Sequence, residues 1–195
     1  MRTPWGYDTE SDLAPLISET EFNGITDNAY ASNPRVGSAL LAASQVVRNY
    51  CGWHICPSLE CIAEPMGDGQ IRRLPAAYVS EVVSVTEDGA VLDTSAYEWR
   101  KDGLIRRASG KWSKAWNSIE VEYTAGYDIE AVPDLAEAVA AITAGVLSVS
   151  AGVTSESADG VSISYSASAS SIAASLTASQ KSALDAYKVV TAHAT

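Results

Sequence analysis

Two segments with the same apolar spacing, residues 34–51 and 133–150, constrain the fold more than any other feature of the chain. In each segment, apolar side chains recur at steps of four, three, four and three, which places them on one face of an α-helix. Asn33-Pro34 and Pro133 suit helix starts, and Gly52 suits a helix end. The two stripes are Val36, Leu40, Ala43, Val47 and Tyr50, and Leu135, Val139, Ile142, Val146 and Val149. They predict that two long helices pack as a pair.

The stretch between the two helices, residues 54–127, has the patterns of antiparallel strands. Asp88-Gly89 and Asp102-Gly103 are strong hairpin signals, and "SIEVEYTAGY" alternates apolar and acidic residues as a strand with one buried face does. Thr177 and Gln180 form a capping box before a short helix at about 178–191. We predict an α+β fold in which a helical core (about 34–51, 133–150 and 178–191) carries an inserted small antiparallel sheet or barrel at 54–127.

Charge and composition narrow the function. The net charge of −11 argues against a protein that holds nucleic acid by neutralising phosphates. Three cysteines within eleven residues do not form the framework of a disulfide-rich secreted module. The N-terminus lacks the apolar region of a signal peptide, and no apolar run approaches the ~20 residues that cross a membrane. These features predict a soluble protein made in a reducing cytoplasm.

The segment "VRNYCGWHIC", residues 47–56, is the one stretch that resembles a metal or redox site. Cys51, His54, Cys56 and Cys61 lack the paired knuckles that bring zinc ligands together, and the cysteines lack redox spacing. Buried cysteines are the better interpretation. We predict no metal and no cofactor, and interpret the segment as a structural junction formed by Tyr50, Gly52, Trp53 and Ile55.

No catalytic group stands out elsewhere in the sequence. The other histidine, His193, lies in a terminal stretch expected to fray. The glycine-rich and nucleophile motifs of common enzymes are absent from the sequence. Glu120 and Glu122 share a strand face that is expected to be solvated. We therefore predict that the protein is not an enzyme.

One segment, residues 98–114, reverses the sign of the overall charge. It holds six basic residues against two acidic ones, Glu98 and Asp102. Such a patch either meets an acidic surface of another subunit or forms a solvated hairpin. The candidate subunit-interface residues are Arg100, Lys101, Arg106, Arg107, Lys111 and Lys114.

Two further segments are predicted to be arms. Residues 1–32 have little periodicity and are expected to form a partly ordered N-terminal arm. Residues 151–175 are rich in serine and have the composition of a flexible linker. Within them, Val161, Ile163 and Tyr165 alternate with serines, which favours a strand or arm that becomes ordered against a partner.

The order of several short segments resembles the head-tail connector, or head-completion adaptor, family of long-tailed bacteriophages and prophages. The segments are "NYCGWHI", "LPAAYVSEVVSVTEDGAVL", "YEW", "DGLIRR", "VEYTAGY", "VPDLAEAV" and "GVTSESADGVSISYS", and the resemblance runs from about residue 33 to 190. It implies that residues 33–195 form a single connector domain. It also implies a structural, non-enzymatic virion protein at the head–tail interface, assembled in the host cytoplasm.

The resemblance further implies the partners. Such proteins form a ring, usually twelve-fold, under the portal protein after DNA packaging. The ring extends the channel, through which double-stranded DNA passes without specific binding, and offers a docking surface to the next connector or tail-completion protein. No membrane is involved. The basic segment 100–114 would meet the acidic body of a neighbouring copy, and the arm with Val161, Ile163 and Tyr165 would bind the portal or a neighbour.

Two other functions stay open from the sequence. The first is a minor tail or tail-completion protein, which would bind the tail tube rather than the portal. The second is a hydrolase that uses Glu120, Glu122 or His54, which requires a concave pocket with convergent polar groups.

Overall fold

The computed structural model describes residues 14–65, 69–148, 155–158, 161–164 and 176–189. Over these ranges the chain forms four α-helices and nine β-strands. The helices are α1 (Glu19–Ile25), α2 (Val36–Cys51), α3 (Pro133–Ser148) and α4 (Ala178–Leu184). The strands are β1 (Leu59–Ala63), β2 (Ile71–Arg73), β3 (Val79–Glu87), β4 (Ala90–Val91), β5 (Tyr97–Trp99), β6 (Leu104–Arg107), β7 (Ile119–Ala125), β8 (Ser155–Ala158) and β9 (Val161–Ser164).

The strands pair into two antiparallel sheets and one hairpin. The larger sheet has the order β1-β7-β3-β4, and the smaller one has the order β2-β6-β5. Strand β7 lies at the centre of the larger sheet, where it pairs with β1 on one side and β3 on the other. Strands β8 and β9 pair only with each other among the described strands.

Both sheets belong to one compact unit, which we call the β unit. It contains the described residues from 51 to 131 together with 187–189. Alternation along β7 buries every second side chain, as the sequence predicted. The large, fully buried side chains of the unit include Trp53, Ile55, Leu74, Ile105, Trp112 and Tyr123. The sheets therefore have a core of their own, made of aromatic and branched side chains.

Two tight turns fix the register of these sheets. Asp88 and Gly89 have φ values of +49° and +79°, the left-handed pair that a two-residue hairpin between β3 and β4 requires. Gly103 lies in the turn between β5 and β6, with φ of +79°. A Cβ at that position would lie 2.4 Å from the Ala76 carbonyl oxygen, so only glycine fits. Both predicted Asp-Gly hairpins are confirmed.

The second compact unit, the helical unit, contains the remaining described residues, 14–50 and those from 132 to 186. Ser18 and Glu21 form a capping box at α1, and Thr177 and Gln180 form the predicted one at α4. The core includes Phe22, Leu40, Val47, Leu135, Val139 and Leu184. Two hydrogen bonds between residues far apart in sequence tie α2 to the segment before α1: the Leu16 amide donates to Ser44 Oγ at 2.8 Å, and Arg48 Nη1 donates to the Ala14 carbonyl at 2.7 Å.

The predicted fold class, a helical core with an inserted sheet, is wrong. The chain is β-rich, with two antiparallel sheets and four short helices, and α1 and α4 have only seven residues each. Helices α2 and α3 lie where the apolar stripes are and bury most of them, but the two sheets have a separate core of their own. An apolar stripe shows which face of a helix is buried and not how much of the chain is helical, so the two stripes led to an overestimate of the helical core.

Candidate functional site

The residues of the suspected metal site are buried inside the β unit. Cys51, Cys56 and Cys61 are buried thiols, and His54 has no exposed surface. His54 Nε2 lies 3.0 Å from the Pro57 carbonyl oxygen and 3.1 Å from that of Ala125. Because both neighbours are acceptors, Nε2 carries the hydrogen and donates. In the described part of the chain, no three His, Cys, Asp or Glu side chains come together as metal ligands.

The backbone around His54 is unusually tight. Ile55, a β-branched residue, has φ of +68°, and the Cys56 amide donates to the His54 carbonyl at 2.9 Å. This is a γ-turn in the strained, positive-φ form. The Ile55 carbonyl accepts from the Tyr127 amide at 2.8 Å, and Ile55 is fully buried, so packing holds the turn in place.

Gly126 also packs closely against His54 and Pro57. Its φ is +112°, and a Cβ there would lie 2.3 Å from the Pro57 carbonyl oxygen and 2.7 Å from His54 Nε2. The chain can approach His54 this closely only because the residue is glycine. Gly126 is the glycine of "YTAGY", so this part of the family-like signature has a steric origin. The sequence reading did not single it out.

An aromatic cluster completes the junction. The Trp53 indole N–H donates to the Tyr187 carbonyl at 2.6 Å, and the Val189 amide donates to the Cys51 carbonyl at 3.0 Å. Tyr127 stacks on Tyr78 at 4.6 Å between ring centroids and meets Trp53 and Tyr187 edge-on. Burial raises the pKa of the Tyr127 hydroxyl above its usual value, with smaller contributions from Tyr78 and Cys56.

The other predicted junction residues surround the end of α2. The helix ends at Cys51, and Gly52 follows with φ of +81°, the left-handed conformation common after a helix. Tyr50 is half-buried, and its hydroxyl donates to Asp185 Oδ1 at 2.7 Å within the helical unit.

The carboxylates considered for catalysis lie on the outer face of the larger sheet. Glu120 is exposed, and Glu122 accepts a hydrogen bond from Ser84 Oγ at 2.9 Å. A cleft of about 300 Å³ does exist in the β unit, but neither glutamate nor His54 lines it. The three hydrolase candidates therefore do not converge on this cleft.

The basic residues divide into an outward group and a structural one. Arg100 and Arg106 are exposed and pair with Asp102 and Glu98. Arg107 is only 22% exposed; it pairs with Glu87 at 3.2 Å and stacks on the Trp112 ring. Lys101, Lys111 and Lys114 are exposed. Arg107 is therefore bound within the β unit, and the other five basic residues face solvent.

The cleft has an unusual wall, Trp116, which the sequence reading did not single out. Its side chain is 87% exposed, the largest exposure among the big apolar residues described. The lining residues are Glu64, Pro65, Arg72, Ser113, Lys114, Ala115, Trp116, Asn117, Ser118 and Ile119. The sequence does contain a sign of this exposure. Trp116 lies in the polar run "SKAWNS", which lacks the apolar periodicity of a buried strand or helix.

The predicted arm is described only in part. Val161 and Ile163 lie in β9, which pairs with β8. Tyr165 lies outside the described residues, as do residues 1–13 of the N-terminal arm. Residues 14–32 are described and include α1. No helix in the described ranges has the length and apolar character needed to cross a membrane.

In the described part of the chain, aromatic side chains pack into a buried junction, and neither the suspected metal ligands nor the hydrolase candidates line the cleft. Over residues 15–187 the chain matches the family model described as "Head completion protein", and it belongs to the head completion protein family. A search of curated proteins found no match. The chain is thus a structural virion protein of a bacteriophage with a role in completing the head. The family resemblance drawn from the sequence is confirmed.

Substitutions at the junction test the metal-free interpretation. His54→Asn or Cys56→Ser is expected to lower the free energy of unfolding by about 1–3 kcal/mol, because each disturbs a buried polar or packed position. Elemental analysis of the wild-type protein is expected to find no bound transition metal. One zinc ion per chain, lost in either variant, would contradict this interpretation.

Proposed function

We propose that the protein forms a ring beneath the portal, extends the DNA channel and provides the docking surface for the next connector or tail component. The match to the head completion family over residues 15–187 carries this proposal. In this function the protein has no enzymatic activity, needs no cofactor, and acts in the virion after assembly in the host cytoplasm. We propose twelve copies per ring, as the sequence resemblance implies.

The charge of the chain supports a role around DNA without specific binding. Each copy has a net charge of −11. A channel lined by such copies repels phosphates, so the DNA stays free to slide.

The hairpin β8–β9 is proposed to bind the portal or a neighbouring copy. Among the strands that the structure describes, these two pair only with each other, and an isolated two-stranded hairpin is marginally stable in water. Docking on a partner would supply the missing stabilisation. The N-terminal arm is proposed to act in the same way.

The experiment that tests the ring is electron microscopy of the purified protein mixed with its portal. A ring attached to the portal is the expected result. A parallel pull-down against tail tube separates the proposal from the alternative of a tail-completion protein. Binding to the tube and not to the portal would replace the first function by the second.

The exposed basic residues of the β5–β6 hairpin are proposed to contribute to contacts between copies. Lys101→Glu with Arg106→Glu is expected to reduce ring assembly on the portal about tenfold. The free energy of unfolding should change by no more than ~0.5 kcal/mol, because exposed ion pairs contribute little. The measurement is the number of copies bound per portal.

Arg107→Glu is the comparison variant, because it makes the same change of charge at a residue of the same segment that lies inward. It places a carboxylate beside Glu87, whose side chain is only 12% exposed, and removes the stack on Trp112. We expect it to destabilise the β unit by about 2–4 kcal/mol in urea. Normal assembly by the Lys101/Arg106 variant would refute the hairpin contact.

A further inference from the structure

The Trp116 side chain does not contribute to the core of the β unit. It is 87% exposed, whereas Trp112, four residues earlier, is 2% exposed and part of the core. Tryptophan is enriched in protein interfaces and at the positions that contribute most binding energy. An exposed tryptophan in a loop is therefore a candidate anchor for a partner.

The loop that carries this residue, residues 113–118 (the Trp116 loop), is held in place in the free chain. The Ser113 amide donates to Glu87 Oε1 at 2.8 Å, and Ser113 Oγ donates to Asp88 Oδ1 at 3.0 Å. At the other end, the Asp88 amide donates to the Ser118 carbonyl at 2.7 Å. The backbone around Trp116 is thus ordered before binding, which lowers the entropy cost of forming an interface.

Two exposed lysines lie in or beside the Trp116 loop, whose first residue, Ser113, bonds the carboxylates of Glu87 and Asp88. Lys111 and Lys114 are exposed and lie within five residues of Trp116 in sequence. The preceding segment, residues 98–114, is basic, so the rest of the chain is even more acidic than the net charge of −11 indicates. Charge complementarity therefore favours another copy of this chain as the partner.

The outer face of the larger sheet has the complementary composition. Glu120 and Glu122 alternate outward along β7, and the register places Ile62 opposite Glu122. Glu60 lies two residues from Ile62 on the same face of β1. Ile62 is 47% exposed, so an apolar side chain lies among carboxylates. We call Glu60, Ile62, Glu120 and Glu122 the acidic sheet face.

We propose that the Trp116 loop of one copy packs on the acidic sheet face of the next copy, with Trp116 against Ile62 and the lysines against the glutamates. The inference rests on the proposed ring, for which it names the contact between neighbours. In the proposed ring the contact is head-to-tail: each copy presents its Trp116 loop to one neighbour and its acidic sheet face to the other. The occupant is a second copy and not DNA, because the sheet face is acidic.

A charge exchange within one chain tests the contact. The variant Lys111→Glu/Lys114→Glu and the variant Glu60→Lys/Glu120→Lys are each expected to reduce at least tenfold the number of copies bound per head, measured by adding purified protein to heads assembled without it. The variant that combines all four substitutions restores opposite charges across the contact. It is expected to recover most of the binding.

Trp116→Ala tests the apolar part of the contact. It is expected to reduce assembly at least tenfold and leave the urea midpoint unchanged, because the side chain is exposed. Val91→Ala, at another exposed apolar position (73%), is the control and should assemble normally. Two outcomes would overturn the inference and leave the proposed ring intact, provided that the wild-type chain forms rings. One is normal ring formation by Trp116→Ala. The other is a combined variant that assembles no better than either double variant. If the wild-type chain forms no ring on heads, both the inference and the proposed ring fail.

Discussion

Replacing Gly126 by alanine is expected to cause a large loss of stability in the β unit. The added Cβ would lie 2.3 Å from the Pro57 carbonyl oxygen and 2.7 Å from His54 Nε2, and the φ of +112° is one that side chains rarely adopt. Backbone strain of about 1–3 kcal/mol and overpacking of about 1–3 kcal/mol add to roughly 2–6 kcal/mol. Urea denaturation measures the change against a typical total stability of about 5–15 kcal/mol.

Gly110→Ala is the matched control for the steric part of this effect. Gly110 also has a positive φ, +75°, but nothing lies within 4 Å of an added Cβ. Gly110→Ala should lower the free energy of unfolding by only about 1–2 kcal/mol, the cost of placing alanine in the left-handed conformation. Equal losses for the two variants would show that the contact with Pro57 and His54 is unimportant.

Trp53→Ala is expected to have an effect of similar size by a different mechanism. The side chain is fully buried, contacts His54 and Tyr127 edge-on, and donates to the Tyr187 carbonyl. Truncating a buried tryptophan costs about 3–5 kcal/mol, because it leaves a cavity and removes apolar contacts. Hydrogen exchange should also show loss of protection at Val189, whose amide bonds to Cys51 next to the cavity.

Trp53→Phe separates packing from the hydrogen bond. It keeps an aromatic ring and removes the N–H donor to Tyr187, so we expect a loss of about 1–2 kcal/mol. If Trp53→Phe is as unstable as Trp53→Ala, the indole hydrogen bond and not the packing is the main contribution of this residue.

Local features of the fold were readable from the sequence because their causes are local. Asp88-Gly89 adopts left-handed backbone that glycine favours, the capping box at Thr177 uses side chains three residues apart, and β7 buries alternate residues. Each depends on a few neighbouring residues. The architecture was not readable in this way, because an apolar stripe gives the buried face of a helix but not the element that covers it.

The functional surfaces show the same division. The sequence showed the basic segment but not that Arg107 turns inward, because the partner Glu87 is twenty residues away on another strand. Trp116 was overlooked since core and surface tryptophans look alike without a structure. The steric role of Gly126 was not visible in the sequence either, because its neighbours Pro57 and His54 are about seventy residues away along the chain. The family, by contrast, was recognised from the order of short segments.

The hydrogen bond from Trp53 to Tyr187 has a consequence for synthesis of the protein. It joins residues 134 apart, so the β unit is complete only after the whole of α3 and α4 has been translated. A chain interrupted before Tyr187 would lack the aromatic partner of Tyr127 as well as the acceptor for Trp53. Such fragments would unfold more often and be cleared by host proteases. The junction thus makes the stability of the β unit depend on residues close to the end of the described chain, so that truncated copies are removed before they can be used.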